Sequence, residues 1–252
     1  MKRALVVTSA GSSTRFSLSI GRDVLKVLYY EDSPIKCLLG NQLCLVNKFG
    51  FDYIVVVGGY CFDELESFIA RYFPKASNIE TVYNEKYREC GSCYSFTLGL
   101  KALRNRNVDE IVFMEGDLFF DEPSFSALVA SPQDVITTNR QLIRSDTSVI
   151  FYTTAAGKLR YLYDRHHAKL GINEPFIVLG NSGQVWKFCD VSLLHKLSED
   201  LVELFDETNL LLVEKYFNAR GLSKVTYIAF DIWINCNTVD DYRAIDNLRR
   251  SH

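Results

Sequence analysis

The feature that most constrains this chain is the alternation, along its first half, of short β-branched runs with segments of helical apolar spacing. Residues 4–8 (Ala-Leu-Val-Val-Thr) are a continuous apolar run with a glycine turn behind them, the pattern of a strand buried on both faces. Residues 53–57, 80–83 and 110–114 repeat it. Between them, 34–49, 63–72 and 92–103 carry apolar positions at helical spacing, with Gly50 as a C-cap and Pro74 as a stop. A β-α-β-α-β-α-β order predicts an α/β fold, Rossmann-like, with a mixed but mostly parallel sheet flanked by helices. The second half predicts a small strand-rich subdomain, with strand-like pieces at 135–138, 148–153, 159–163 and 176–179. Helices are expected over 193–204 and 209–217, then a last strand at 225–236 and a charged helix after Thr238. No low-complexity linker or internal repeat interrupts the 252 residues, which predicts one domain.

Charge and cysteine usage narrow the partners. The 28 basic and 31 acidic side chains leave a net charge of −3, and no basic stripe exists beyond Arg249-Arg250, so no nucleic acid partner is expected. The longest strongly apolar stretch, 53–62, is too short and glycine-rich to span a bilayer, so no membrane insertion is expected. Met1-Lys2-Arg3 opens like a secretory leader, but the apolar part ends at Thr8, short of the ~7–15 residues such a leader needs. The seven cysteines (37, 44, 61, 90, 93, 189, 236) are odd in number and sit mostly in apolar runs. Reduced thiols and a cytoplasmic location follow as expectations. Cys90-Gly91-Ser92-Cys93 lacks the second pair that a zinc site needs, and it reads as a tight loop.

Directly behind the first strand runs Thr8-Ser9-Ala10-Gly11-Ser12-Ser13-Thr14-Arg15-Phe16. Small residues at the C-terminal end of a parallel strand let backbone N–H groups approach a phosphate, and Arg15 can fork onto its oxygens. Neither G-x-G-x-x-G nor G-x-x-x-x-G-K-[ST] is present, and a serine-rich connection is the plain alternative.

The segment from Ala10 to Phe16, with Lys26 and Pro34-Ile35 beyond it, resembles the signature of the nucleotidyltransferases, A-A-G-x-G-[ST]-R-[LF] followed by K-x-L and P-L. Ser9 replaces the first alanine and Ser13 the second glycine. Tyr83-Asn84-Glu85-Lys86-Tyr87 and Gly91-Ser92-Cys93-Tyr94-Ser95 resemble the N-x-x-Y and N-x-x-S stretch of the choline-phosphate and 2-aminoethylphosphonate cytidylyltransferase branch. Phe113-Met114-Glu115-Gly116-Asp117 resembles the family's strand-end G-D, and Trp233 to Tyr242 resembles its closing E-I-D-T-P-E-D-L, with Asn237 at an aspartate position.

What the resemblance implies is magnesium-dependent transfer of CMP from CTP to a small phosphorus-containing acceptor, with release of pyrophosphate. Arg15 and Lys26 become the catalytic cations. Ala10, Gly11, Ser12, Ser13, Thr14, Gly59, Gly91, Ser92 and Gly116 become the nucleotide site, and Asp117 and Asn237 the Mg2+ ligands. The chemistry is consistent: attack on an α-phosphorus needs alignment and charge neutralisation, and magnesium takes only one or two protein ligands. Asn235 shares a strand face with Asn237, and one of the two can instead cap the following helix. The chain then divides into a nucleotide-binding half (1–130), an acceptor-binding half (131–230) and a metal-binding strand end with the C-terminal helix (231–252).

Residues 166–188, with Tyr87, are read as the acceptor pocket. Glu174, Asn181, Gln184 and Trp186 offer a carboxylate, two amides and an indole. A quaternary ammonium wants an aromatic cage and a primary one wants hydrogen-bond acceptors, so 2-aminoethylphosphonate is favoured over phosphocholine. The plain readings are Trp186 in the core and the amides satisfying backbone groups. His166-His167 point in different directions and are not expected to hold a metal. An amino-acid phosphate or phosphoramidate such as phosphoglutamine, a hexose 1-phosphate, and a silent nucleotide-binding regulatory module are the competing readings. A homodimer is compatible with all of them.

Overall fold

The computed structural model describes residues 1–144, 147–163, 171–200 and 208–251. The continuous apolar runs become β1 (Arg3–Ser9), β2 (Tyr53–Gly58), β3 (Ile79–Tyr83) and β4 (Glu110–Glu115). Between them stand α1 (Thr14–Ile20), α2 (Leu38–Val46), α3 (Phe62–Tyr72) and α4 (Ser92–Leu103). β1 lies between β2 and β4, parallel to both, and β3 adds in parallel beyond β2. Alternation divides the side chains of these strands between two cores. Val6, Val55 and Phe113 pack with Phe96 and Leu100 of α4, whereas Leu5, Val56 and Met114 pack with Leu43 of α2 and Leu65 of α3.

The chain continues through β5 (Leu118–Phe120), α5 (Glu122–Ala130), β6 (Asp134–Asn139), β7 (Ile150–Thr154), β8 (Leu159–Leu162) and β9 (Phe176–Phe188). It ends through α6 (Val191–Glu199), α7 (Leu210–Arg220), β10 (Val225–Phe230), β11 (Trp233–Asn235) and α8 (Val239–Ser251). Among the described residues the main sheet runs β10-β6-β9-β4-β1-β2-β3, with β7 attached to β9 and β8 to β7. β9 is antiparallel to both neighbours, β4 and β6. The sheet is therefore mixed and mostly parallel, as the alternation predicts.

Three sequence expectations need correction. The strand expected at 176–179 is 13 residues long, because its second half is buried between β4 and β6 while its first half pairs with β7. The run Gly180-Asn181-Ser182-Gly183-Gln184 hides that continuity, since small and amide residues carry little strand signal. The single strand expected at 225–236 is two. Both oxygens of Asp121 are engaged: Oδ2 accepts from the backbone N–H groups of Asp231 and Ile232 at 3.0 Å, and Oδ1 caps α5 through Ser124. The chain turns there, and β11 leaves the main sheet to pair antiparallel with β5. Finally, the loop behind β1 is already helical from Thr14.

Trp186 belongs to the core, which settles its plain reading against a role in an acceptor pocket. It is fully buried, its ring stacks on Phe113 at 5.5 Å, and its indole N–H donates to the Tyr161 hydroxyl at 2.8 Å.

Candidate active site

Strand order places the crevice. The connections from β1 to β2 and β3 run to one side of the sheet and β4 lies on the other, so the C-terminal ends of β1 and β4 flank a topological switch point, the usual ligand crevice of an open α/β sheet. A cleft of about 450 Å³ opens there, within the range of small-molecule sites. One wall is the loop from Thr8 to Phe16, another is Tyr87, Cys90, Gly91, Ser92 and Ser95, and the floor is Glu115 and Asp117 with Lys26 and Asn237.

Each polar group has a local cause for its position. Gln42 is buried on α2 and donates to the carbonyls of Glu115 and Leu118 at 3.1 and 2.9 Å, which pins the turn carrying Asp117. Gly116 lies so close to β1 that a Cβ would meet Ser9 Oγ at 2.2 Å and the Thr8 carbonyl at 3.0 Å. The backbone N–H of Cys236 donates to the Asp117 carbonyl at 2.8 Å, and this sets Asn237 beside Asp117. Neither Asn235 nor Asn237 caps α8. Thr238 does so, its hydroxyl oxygen accepting the Asp241 backbone N–H at 3.3 Å, while the Asp241 carboxylate reaches back to accept the N–H groups of Asn237 and Thr238.

Lys26 Nζ lies 2.7 Å from Asp117 Oδ2 and 3.4 Å from Asn237 Oδ1, and Arg15 Nη2 donates to the same Asn237 oxygen at 2.9 Å. Four residues from three separated parts of the sequence thus meet at one point. Lys26 is held there by Ser13, whose Oγ accepts the Lys26 backbone N–H at 3.1 Å. Ser13 itself stands at φ +57°, the left-handed conformation a glycine would take there more easily. Asp117 Oδ1 is buried and, among the described residues, has no hydrogen-bond partner. A buried carboxylate oxygen without a partner is costly, and it fits an ion that takes one or two oxygen ligands from the protein and the rest from phosphate and water.

Glu115 is the residue that sequence reasoning missed. Its Oε1 accepts from Asn209 Nδ2 at 2.8 Å and its Oε2 from Gln184 Nε2 at 3.1 Å. Burial, reinforced by the Asp117 carboxylate, pushes the Glu115 carboxyl up to about 7, while the Asn209 amide and the Lys26 charge oppose that rise. The available signal was a carboxylate at the last position of a buried strand, two residues before Asp117.

Of the residues expected to surround a nucleotide, Ala10, Gly11, Ser12, Ser13, Thr14, Gly91 and Ser92 line the cleft with Arg15 and Lys26. Gly59 and Gly116 lie behind it. At Gly59 a Cβ would meet Tyr87 Cβ at 2.5 Å and the Ala10 carbonyl at 2.8 Å, so it is a contact point between the two walls. Of the expected acceptor residues only Tyr87 lines the cleft. Glu174 is exposed and accepts from the Tyr152 hydroxyl at 3.3 Å. Asn181 is buried and donates to Ser148 Oγ at 3.4 Å, and Gln184 reaches the site only through Glu115. Glu174 lies before β9, and of the expected residues on β9 only Gln184 reaches the end of β4. His166 and His167 lie outside the described residues. The Cys90 to Cys93 loop holds no disulfide, nor does any other of the seven cysteines.

Known proteins share this architecture. The chain is similar to the inositol-1-phosphate CTP transferase from T. maritima, with a TM-score of 0.67 at 18% identity over 95% of this chain and 91% of that one. It is also similar to a UDP-glucose pyrophosphorylase solved with UDP-glucose, with a TM-score of 0.67 at 13% identity over 100% and 99% of the two chains. The fold is thus that of the sugar-phosphate nucleotidyltransferases. In sequence, the choline-phosphate cytidylyltransferase of Haemophilus influenzae is 26% identical over 161 residues, which are 60% of this chain and 66% of that protein, just under two thirds of its length. The matching family model covers residues 22–249, a span holding Lys26, Asp117 and Asn237, so the chain belongs to the family described as Domain of unknown function (DUF6564).

Proposed function

We propose that this protein is a magnesium-dependent cytidylyltransferase that joins CMP from CTP to a small phosphonate or phosphorylated amine and releases pyrophosphate. The observation that carries the reading is the meeting of Arg15, Lys26, Asp117 and Asn237 opposite a small-residue loop at the switch point. A phosphoryl oxygen of the acceptor attacks the α-phosphorus, and the bond to the pyrophosphate oxygen breaks. The protein supplies positioning and charge rather than a covalent partner. The loop from Ala10 to Thr14 cradles the phosphates, and Arg15 and Lys26 oppose the negative charge that builds during transfer. Asp117 and Asn237 would hold Mg2+, which supplies charge neutralisation across the phosphate oxygens when bound. A silent module has no use for these four groups held together, which favours the active reading.

For the acceptor, 2-aminoethylphosphonate stands ahead of phosphocholine. Among the described lining residues the one partly exposed ring is Tyr87, short of the cage that a quaternary ammonium requires, which favours the primary amine. The likeness to the choline-phosphate enzyme supports the choice of CTP and of a small amine-bearing acceptor class. The test is a pyrophosphate-release screen of CTP, UTP, ATP and GTP against both acceptors and a hexose 1-phosphate. CTP with 2-aminoethylphosphonate is expected to turn over fastest. Preference for UTP with the hexose phosphate would move the protein to the sugar branch, and no release with any pair would favour the silent module.

A further inference from the structure

An asparagine beside a cation faces a difficulty that an aspartate does not. One end of its amide accepts and the other donates, so a half-turn would present N–H groups to the positive charge. Asn237 stands in that situation, with Lys26 and Arg15 both donating to its Oδ1. Behind it runs an unbroken chain of amides. Asn237 Nδ2 donates to Asn235 Oδ1 at 3.0 Å, Asn235 Nδ2 donates to Gln184 Oε1 at 3.2 Å, and Gln184 Nε2 donates to Glu115 Oε2 at 3.1 Å. The other Glu115 oxygen is taken by Asn209 Nδ2.

The two ends determine the direction. Both Glu115 oxygens accept amide N–H groups, and the lysine and arginine can only donate. Between such ends each of the three amides has one orientation, and reversing any of them sets two donors or two acceptors face to face. We propose that Glu115, Gln184 and Asn235 form a polarity relay that holds the Asn237 amide with its oxygen toward the cation site. None of the three touches a reacting atom, so they are positioning residues. Gln184 supports this role by its backbone, since it is buried and held at φ +54°, an unusual conformation for a side chain other than glycine. Its own N–H is fixed by Ser182 Oγ at 3.1 Å.

The proposal rests on the nucleotidyltransferase reading for the identity of the ion, but the relay is measurable without turnover. The probe is Mn2+ alone, its binding followed by loss of the free-ion electron paramagnetic resonance signal. Gln184→Met cuts the relay without changing charge and is expected to weaken Mn2+ binding about tenfold, the low end of what metal sites lose with an outer hydrogen-bonding partner. Glu115→Gln can turn an amide N–H toward Gln184 and is expected to weaken it as well. Asn235→Asp traps Gln184 between two carboxylates, one of which must face its carbonyl oxygen, and is expected to lower the melting temperature. In the Glu115→Gln/Asn235→Asp double variant every amide regains a partner. The new amide at position 115 donates to Gln184, and Gln184 and Asn237 both donate to the new carboxylate at position 235. That variant is expected to recover both the melting temperature and the Mn2+ affinity. Wild-type affinity in Gln184→Met, or strictly additive losses in the double variant, would overturn the relay. A wild-type protein that takes up no Mn2+ would overturn the ion assignment together with the relay, whereas a protein that shows the expected shifts but releases no pyrophosphate would overturn only the proposed activity.

Discussion

Ser13 shows how a departure from a familiar motif becomes a contact. Its φ of +57° costs a residue with a Cβ about 1–2 kcal/mol, yet its hydroxyl takes the Lys26 N–H, which a glycine could not do. Ser13→Ala keeps the strain and loses the bond, so it is expected to lower stability by about 1 kcal/mol in urea unfolding. Ser13→Gly relieves the strain and is expected to leave stability near wild type while lowering kcat, because Lys26 is less well held. A glycine variant with unchanged kcat would show that the bond does not position the lysine. Lys26→Ala and Arg15→Ala are expected to cost about 2.7–4 kcal/mol at the transition state, read as kcat under saturating CTP. A loss confined to CTP affinity would demote both to binding groups. Asp117 and Lys26 were identifiable because their motifs are local. Glu115 was not, since nothing within a few residues of it announces Asn209, 94 positions away.

At the scale of elements, strands whose whole length is buried were legible and strands with changing surroundings were not. β1, β2 and β4 carry one environment from end to end, and their apolar runs say so. β9 passes from an exposed apolar start through amides to a fully buried end, so no single period describes it. Trp186 on that strand makes the difference measurable. Trp186→Ala is expected to cost about 3–5 kcal/mol by denaturant titration, as a large core ring removed from its stack on Phe113. If the substitution instead raised the acceptor KM with stability intact, the indole would be a pocket residue after all. Helix α5, which the sequence reading did not include, owes its start to Asp121, which the fold also uses to turn β10 into β11.

For the molecule as a whole, the cleft joins three stretches of chain that otherwise meet only across the sheet, so a nucleotide bound there should stabilise all of them. CTP with Mg2+ at 100 times its Kd is expected to add about 2.7 kcal/mol, or about 5–10 °C in Tm for a chain of this size. CTP is expected to outrank ATP, GTP and UTP in a thermal-shift series, and Asp117→Ala to remove the Mg2+-dependent part of the shift. Equal shifts with all four nucleotides would argue against CTP as the preferred substrate. The sequence by itself determined the alternating elements, the parallel sheet, the segment behind β1 that carries Arg15 and Lys26, and the strand ends that carry Asp117 and Asn237. Periodicity and turn chemistry act within a few residues, and the chemistry of this fold sits where strands stop. Only the tertiary structure decided which side chains stand behind those ends. Gln184 meets Glu115 because β9 pairs antiparallel with β4, and Asn235 meets Gln184 because β11 leaves the main sheet for β5. Both contacts depend on strand register across 51 to 69 residues of chain, and no local pattern encodes a register between segments so far apart.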